Sequence, residues 1–168
     1  MFENEVRKII QINTISFIFG FLLPVLLFFY FRHKKKISNN DATKKEERQF
    51  PYLFSTFFAV FAVISLFFIH SDLIIILSYA TYVINTVLLI IINKYWKISA
   101  HAIGVASPWA IILYTNFSLF PVFILILLVV GWSRIKLKVH SLLQVIAGSI
   151  FGFCFTFIEL ILGLKIFG

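Results

Sequence analysis

The chain has 168 residues, of which 61% are hydrophobic and 13% charged, and its mean hydropathy is +0.99. Its formal charge is +8, from 15 Lys and Arg against 7 Asp and Glu. Because soluble domains are roughly 45–50% apolar and about 25% charged, this composition excludes a soluble Rossmann-type enzyme and intrinsic disorder. The single cysteine, Cys154, excludes a disulfide scaffold. Long uncharged runs between basic clusters are typical of a polytopic membrane protein.

Uncharged runs define the predicted membrane spans. A helix requires roughly 20 residues to cross about 30 Å of hydrocarbon, and four runs have about this length. The fifth run, 98–133, is long for one pass, so we divide it at the polar turn 115–118, shortly before Pro121. We expect no cleavable signal peptide, and a bend near Pro24 in the first span. The sequence predicts a single all-α domain, a six-span transmembrane helical bundle with spans at about 9–31, 51–70, 73–93, 99–115, 119–132 and 141–163.

Basic side chains concentrate at three joins between the spans. The joins between spans 1 and 2, 3 and 4, and 5 and 6 carry twelve of the 15 Lys and Arg, whereas the turns at 71–72 and 116–118 carry none. Since short loops rich in Lys and Arg stay in the cytoplasm, we expect these joins on the cytoplasmic side of the cell membrane and both termini on the outer side. The residues are Arg32, Lys34, Lys35, Lys36, Lys44, Lys45, Arg48, Lys94, Lys97, Arg134, Lys136 and Lys138.

Two short segments on this face combine histidine with cations. Lys97, Ser99 and His101 open span 4, while Arg134 and His140 precede the apolar part of span 6. Helix N-termini present unpaired N–H groups and a partial positive charge, which favour anions, and Ser99 is the expected N-cap of span 4. The two segments therefore predict a cationic pocket for a phosphoryl group whose apolar tail stays in the bilayer.

Helical spacing indicates which way the two histidines face. Every fourth residue of span 6 from His140 onward lies on one side of the helix, and this side includes the G-x-x-x-G step at 148–152. In membrane helices such a step marks close packing against a neighbouring helix. His101 shares a side of span 4 with Gly104 and Pro108. We therefore expect both histidines to face the interior of the bundle.

Ser133, Arg134, His140 and Gln144 lie before and at the start of span 6. Their pattern resembles a motif of the type 2 phosphatidic acid phosphatase superfamily, which also includes the vanadium haloperoxidases and glucose-6-phosphatase. The third motif of that superfamily is Ser-Arg, five residues, His, three residues, Asp. Here it reads Ser133 and Arg134, five residues, His140, three residues, and then Gln144. The spacing is the same, and only the last residue differs.

The other two motifs of the superfamily are less complete in this chain. The second, Pro-Ser-Gly-His, corresponds to 98–101, which keeps Ser99 and His101. The first, Lys, six residues, Arg-Pro, corresponds to residues 44–52, where the spacing differs. The resemblance covers roughly residues 44–155.

The resemblance implies a phosphatase mechanism without a metal or another cofactor. It makes His140 the nucleophile that takes the phosphoryl group, His101 the acid that protonates the leaving oxygen, and Gln144 the residue that orients His140. The implied phosphate-binding residues are Arg134, Arg48, Lys45 or Lys44, Ser99, Ala100 and Lys97.

Gln144 is the main departure from the superfamily pattern. An aspartate at this position would fix the tautomer of His140 and stabilise the cation formed on phosphorylation. Glutamine keeps a hydrogen-bond acceptor but adds no charge, so we expect reduced electrostatic support, by analogy with the Asp-to-Asn change in a catalytic triad. Glu46 or Glu47 from the first loop is an alternative source of that charge.

These observations predict a membrane phosphatase that removes the terminal phosphate of a lipid-linked monophosphate or diphosphate through a phosphohistidine. Phosphatidic acid-like lipids and polyprenyl diphosphates are the expected substrates. The expected partners are this lipid and the bilayer, with no nucleic acid. An alternative is an inactive member of the superfamily that binds anionic lipid headgroups or another membrane protein. A small transporter is disfavoured because the apolar runs of the first three spans contain no charged residue.

Overall fold

The computed structural model describes residues 2–38 and 46–168, and every regular element in them is a helix. The predicted all-α class is therefore confirmed, and each of the six predicted spans is helical. The α-helices are α1 (Phe2–Phe17), α2 (Leu23–His33), α3 (Gln49–Phe68), α4 (Leu73–Tyr95), α5 (Ala100–Thr115), α6 (Phe120–Lys136) and α7 (Leu142–Phe167).

Five helical segments in the described residues are long and apolar enough to cross a membrane, which makes the chain an integral membrane protein. Helix α5 is apolar but has only 16 residues, a length of about 24 Å at about 1.5 Å per residue. The long segments are Glu3–His33, Glu46–Phe68, Leu73–Tyr95, Phe117–Lys136 and Leu142–Phe167.

The first long segment is interrupted near the predicted position. A π-helical turn, Ile18–Leu22, separates α1 from α2, and Pro24 lies in the first turn of α2. Proline lacks an N–H group and its ring clashes with the carbonyl group four residues earlier. A wider π-helical turn at this point relieves that clash and changes the helix geometry locally.

The long apolar run 98–133 is divided at the polar turn, as the sequence predicts. Helix α5 ends at Thr115, and the side chain of Asn116 accepts a hydrogen bond from the N–H of Ser118 at 3.2 Å. A short 3-10 turn, Phe117–Leu119, leads into α6, which has Pro121 in its first turn. Proline suits this position because the first N–H groups of a helix have no intrahelical acceptor.

The chain divides into two compact units, one comprising Met1–Val87 and Phe167–Gly168 and the other Leu88–Ile166. In the first unit, aromatic rings join α1 and α2 with their intervening turn to α3. Phe19 stacks on Phe61, and Phe31 lies 5.9 Å from Phe54 between ring centroids. An ion pair of 3.3 Å between Lys8 and Asp72 links α1 to the turn before α4.

In the second unit, α5 and α7 are in very close contact. A methyl group at Gly148 would lie 2.7 Å from the carbonyl oxygen of Ser99, and one at Gly152 would lie 2.9 Å from the backbone of Ile103. The hydroxyl of Ser107 also donates to the carbonyl of Gly152 at 3.2 Å. The G-x-x-x-G prediction is thus confirmed, because only hydrogen side chains on α7 permit this approach.

Candidate functional site

The close contact between α5 and α7 brings the starts of these two helices together. Residue numbers rise in the same direction along the contact, from Ser99 against Gly148 to Ile103 against Gly152, so the helices are parallel. The N–H of Ser99 donates to the carbonyl of Gln144 at 3.2 Å. Two helix N-termini, each with a partial positive charge, therefore lie side by side at one end of the second unit.

Ser99 caps the start of α5, as the sequence predicts. Its backbone is extended, its side chain is fully buried, and its hydroxyl accepts a hydrogen bond from the N–H of Ala102 at 3.3 Å. Ala100 is the first residue of the helix, so its N–H group belongs to those without an intrahelical acceptor. Lys97, half-buried, precedes the cap, and His101 is exposed in the first turn.

His140 lies just before α7 and is held by a hydrogen bond. Its side chain is 6% exposed, and its Nδ1 atom lies 2.9 Å from Oε1 of Gln144. The same Oε1 accepts the N–H of Ser141 at 3.2 Å, and the hydroxyl of Ser141 accepts the N–H of Gln144 at 3.3 Å. This reciprocal pair is a capping box, in which the side chains at the N-cap and at N3 satisfy each other's backbone N–H groups.

Arg134 joins the end of α6 to the turn that precedes α7. Its carbonyl oxygen accepts the N–H groups of Val139 at 3.2 Å and of His140 at 3.3 Å, which folds the connecting turn back onto the helix end. Its Nε donates to the hydroxyl of Ser133 at 3.2 Å. Arg134, which is half-buried, is thus bonded through its backbone carbonyl to the turn that carries His140.

The charge of the second unit favours anions. From 88 to 166 the sequence contains one acidic residue, Glu159, against six Lys and Arg. Glu159 follows Gln144 by fifteen positions on α7, or about 22 Å along the helix axis. The end of the unit that carries Lys97, Arg134 and the two helix N-termini therefore has no carboxylate of its own to neutralise it.

Several site residues that the sequence predicts do not belong to the second unit. Arg48 is 5% exposed in the 3-10 turn before α3 and belongs to the first unit. Lys44 and Lys45 fall outside the described residues. Glu47, one of two alternative carboxylates for His140, accepts the N–H and the hydroxyl of Ser38 at 2.9 Å each. The second unit thus supplies Lys97, Ser99, Ala100, His101, Arg134, His140 and Gln144, and the roles of Arg48, Lys44 and Lys45 stay predictions.

The expected facing is correct for His140 and wrong for His101. His140 is buried, and Gly148 and Gly152 further along the same side of α7 contact α5. The side of α5 that carries His101 and Gly104 is exposed, and a methyl group at Gly104 would meet nothing within 4 Å. The physical reason is that Ala102, Ile103 and Ala106, on the other side, make the contact with α7.

Sequence reasoning missed Ser141, which forms the capping box with Gln144. The signal was present, because Ser-x-x-Gln before an apolar run marks a helix start. The resemblance gives Gln144 a catalytic role, whereas its spacing from Ser141 indicates a structural one.

No protein-family model, curated protein or solved structure matches this chain.

Proposed function

We propose that this protein is a membrane phosphatase that removes the terminal phosphate of a lipid-linked monophosphate or diphosphate through a phosphohistidine. The proposal is supported above all by one observation, the juxtaposition of two histidine-bearing helix starts through the contact of Ser99 with Gln144 and Gly148. The resemblance to the type 2 phosphatidic acid phosphatase motifs is part of the same proposal.

The proposed reaction has two steps. A ring nitrogen of His140 attacks phosphorus and forms a P–N bond while the P–O bond to the lipid breaks, and His101 gives its proton to the leaving oxygen. Water then attacks the phosphohistidine, the P–N bond breaks, and the proton of the water returns to His101. The products are inorganic phosphate and a lipid alcohol, or a lipid monophosphate when the substrate is a diphosphate.

Phosphoryl transfer depends mainly on in-line placement and on charge stabilisation. The buried, hydrogen-bonded His140 provides a nucleophile with little rotational freedom. His101 is exposed in the first turn of α5, and we propose that it contacts the leaving oxygen and then water. We propose that Arg134, Lys97 and the first N–H groups of α5 bind the non-bridging oxygens, and phosphate binding by Arg48 and by Lys44 or Lys45 stays a prediction from the sequence.

The decisive experiment measures phosphate release by the detergent-solubilised protein from phosphatidic acid and from a polyprenyl diphosphate. We expect release by the wild type and its loss in His140→Ala. His33→Ala is the matched control, because it removes an exposed imidazole from the end of α2 and should keep full activity. Equal release by the wild type and by His140→Ala would eliminate the phosphatase proposal.

A second function is favoured by the uncharged Gln144, which contacts Nδ1 of His140 where the superfamily motif has an aspartate. Without that charge, the same cationic surface suits an inactive protein that binds anionic lipid headgroups. Vesicle binding separates the two functions. An inactive binder would retain phosphatidic acid vesicles without releasing phosphate, and Arg134→Ala would weaken the binding.

We further propose that the site lies on the cytoplasmic face of the cell membrane, in accordance with the basic joins. Single cysteines at Lys138 and at Asn116, placed in a Cys154→Ser background, mark the turns that follow and precede α6. A membrane-impermeant thiol reagent applied to intact cells should label the cysteine at 116 and not the one at 138. The reverse pattern would place the site outside.

A further inference from the structure

A cavity of about 300 Å³ lies in the first unit, where α2 ends and α3 begins. Its volume is at the lower end of the range for small-ligand pockets, about 300–1,000 Å³. These helix ends are also the ends of two membrane spans, so the cavity lies where lipid headgroups meet the hydrocarbon. Its lining includes the apolar residues Phe31, Ile37, Phe50 and Pro51 and the charged residues Lys36 and Glu46.

Hydrogen bonds hold the two walls of this cavity together. The N–H of Lys36 donates to the carbonyl of Phe31 at 2.9 Å, which closes the end of α2. The guanidinium of Arg32 donates to the carbonyl of Ser38 at 2.9 Å. Ser38 in turn donates its N–H and its hydroxyl to Oε2 of Glu47, also at 2.9 Å each. Glu47 therefore bonds the end of α2 to the turn before α3, and the cavity is formed without a ligand.

The floor of the cavity is apolar and partly aromatic. Phe31 and Ile37 are 6% and 1% exposed and form a small core. The ammonium of Lys36 lies over two rings, 5.6 Å from the ring centroid of Phe31 and 6.0 Å from that of Phe50. Cation–π contacts at this distance hold an ammonium group over the ring face. Lys36 is exposed, and an ammonium group so placed offers three N–H donors to an anion.

Two opposite charges line the cavity without neutralising each other. Lys36 and Glu46 are both exposed, and among the described residues no ion pair joins the two. A ligand with a single charge would be attracted by one of them and repelled by the other, whereas a zwitterion complements both. A carboxylate accepts N–H donors, which a primary ammonium group has and a quaternary one lacks. The lining therefore suits a ligand that contains a phosphate and a primary ammonium group.

We infer that this cavity binds the headgroup of a zwitterionic phospholipid of the ethanolamine type, whose phosphate contacts Lys36 and whose ammonium group contacts Glu46. A lipid is the occupant, and not a soluble headgroup, because Phe50 and Pro51 continue the apolar lining into the first turn of a membrane span. Phe50 is 58% exposed and provides a surface for the lipid chains. The inference is independent of the proposed phosphatase, whose nucleophile and acid belong to the second unit.

Competition between lipids tests the headgroup. The detergent-solubilised full chain is equilibrated with equal amounts of dioleoyl phosphatidylethanolamine, phosphatidylcholine and phosphatidylglycerol, and native mass spectrometry counts the bound lipids. We expect about two to five times more bound phosphatidylethanolamine than phosphatidylcholine, as expected for one exposed ion pair. Equal binding of these two lipids would overturn the inference. An excess of phosphatidylglycerol that disappears in Lys36→Gln would identify a site for anionic lipids and would also overturn it.

Two substitutions at exposed positions separate the two contacts. Glu46→Gln removes the partner of the ammonium group and should lower bound phosphatidylethanolamine to the level of phosphatidylcholine. Lys36→Gln removes the partner of the phosphate, so binding of both lipids should fall about twofold to fivefold. Glu5→Gln and Lys34→Gln are the matched controls, because they remove the same charges at exposed positions outside the lining. An unchanged preference for phosphatidylethanolamine in Glu46→Gln would contradict the contact.

Two further arms test the source of the headgroup and the independence of the inference. Glycerophosphoethanolamine, which has the headgroup without acyl chains, should not displace the bound lipid, and displacement would overturn the assignment to a lipid. His140→Ala should keep the preference for phosphatidylethanolamine. A wild-type protein that has this preference and releases no phosphate would remove the proposed function and leave the inference intact. Phosphate release without the preference would support the function and overturn the inference.

Discussion

The starts of α5 and α7 contain the same kinds of residue in different arrangements. At α5 the cap is Ser99 and the histidine follows it, so that His101 lies in the first turn on an exposed side. At α7 the histidine precedes Ser141 and is buried, with a hydrogen bond to Gln144 one turn further on. The imidazole that follows its cap is thus exposed, whereas the one that precedes its cap is buried.

This difference suits the two roles in the proposed reaction. A nucleophile gains from a fixed ring that is already directed at phosphorus, because orientation lowers the entropic part of the barrier. An acid that donates a proton to the leaving oxygen and takes one from water must contact both in turn. Within the proposed reaction, the burial of His140 and the exposure of His101 therefore favour His140 as the nucleophile and His101 as the acid.

The largest expected effect comes from removal of the proposed proton donor at α5, His101. His101→Gln should lower hydrolysis of phosphatidic acid by about 10²–10⁴-fold, the usual contribution of general acid catalysis. An aryl phosphate such as p-nitrophenyl phosphate has a leaving group that needs no protonation, so its hydrolysis should fall far less. Parallel rate measurements with the two substrates provide the check, and an equal loss on both would refute the assignment of His101 as the acid.

The next effect is on the contact that joins the two helix starts. Gly152→Ala places a methyl group 2.9 Å from the backbone of Ile103, so we expect destabilisation of about 1–3 kcal/mol together with reduced activity. Gly104→Ala is the matched control, since a methyl group there meets nothing within 4 Å. Thermal unfolding in detergent compares the two variants, and equal stability would contradict the packing.

A smaller effect is expected at the cap of α5. Ser99→Ala removes the acceptor for the N–H of Ala102 and should lower the free energy of unfolding by about 1 kcal/mol. Ser78→Ala, which removes a hydroxyl that donates to the carbonyl of Ile74 in the preceding turn of α4, should change stability less. Unfolding of both variants under one set of detergent conditions measures the difference. A Ser99→Ala protein as stable as Ser78→Ala would show that the cap contributes little.

The smallest effect concerns the turn before α7, which contains Lys138 with a positive φ of 55°. Left-handed backbone is unfavourable for a residue with a Cβ atom. We therefore expect Lys138→Gly to stabilise the protein by about 0.5–1 kcal/mol, whereas Lys136→Gly at the last residue of α6 should not. Thermal unfolding again provides the measurement, and a loss of stability in Lys138→Gly would show that the lysine side chain makes a favourable contact.

Local signals in the sequence were sufficient for most of the fold. The uncharged runs predicted the helices, the polar turn at Asn116 divided the longest run correctly, and Pro24 marked the interruption of the first segment. The sequence also identifies Ser99 as a cap correctly, because capping depends on neighbours within one turn of the helix. The predicted facing of His101 is wrong because the spacing on α5 indicates which residues share a side of the helix. It does not indicate which side packs against another helix.

The sequence by itself determined the all-α class, the helical spans and the cationic character of the residues near His140, since these follow from local hydropathy and charge. Only the tertiary structure decided that α5 packs on α7 through Ala102 and Ile103, that His101 is therefore exposed, and that Gln144 is shared between His140 and Ser141. The physical reason is that packing depends on how the surfaces of two helices fit together. A hydrogen bond likewise depends on which acceptor the folded chain brings within reach of the donor.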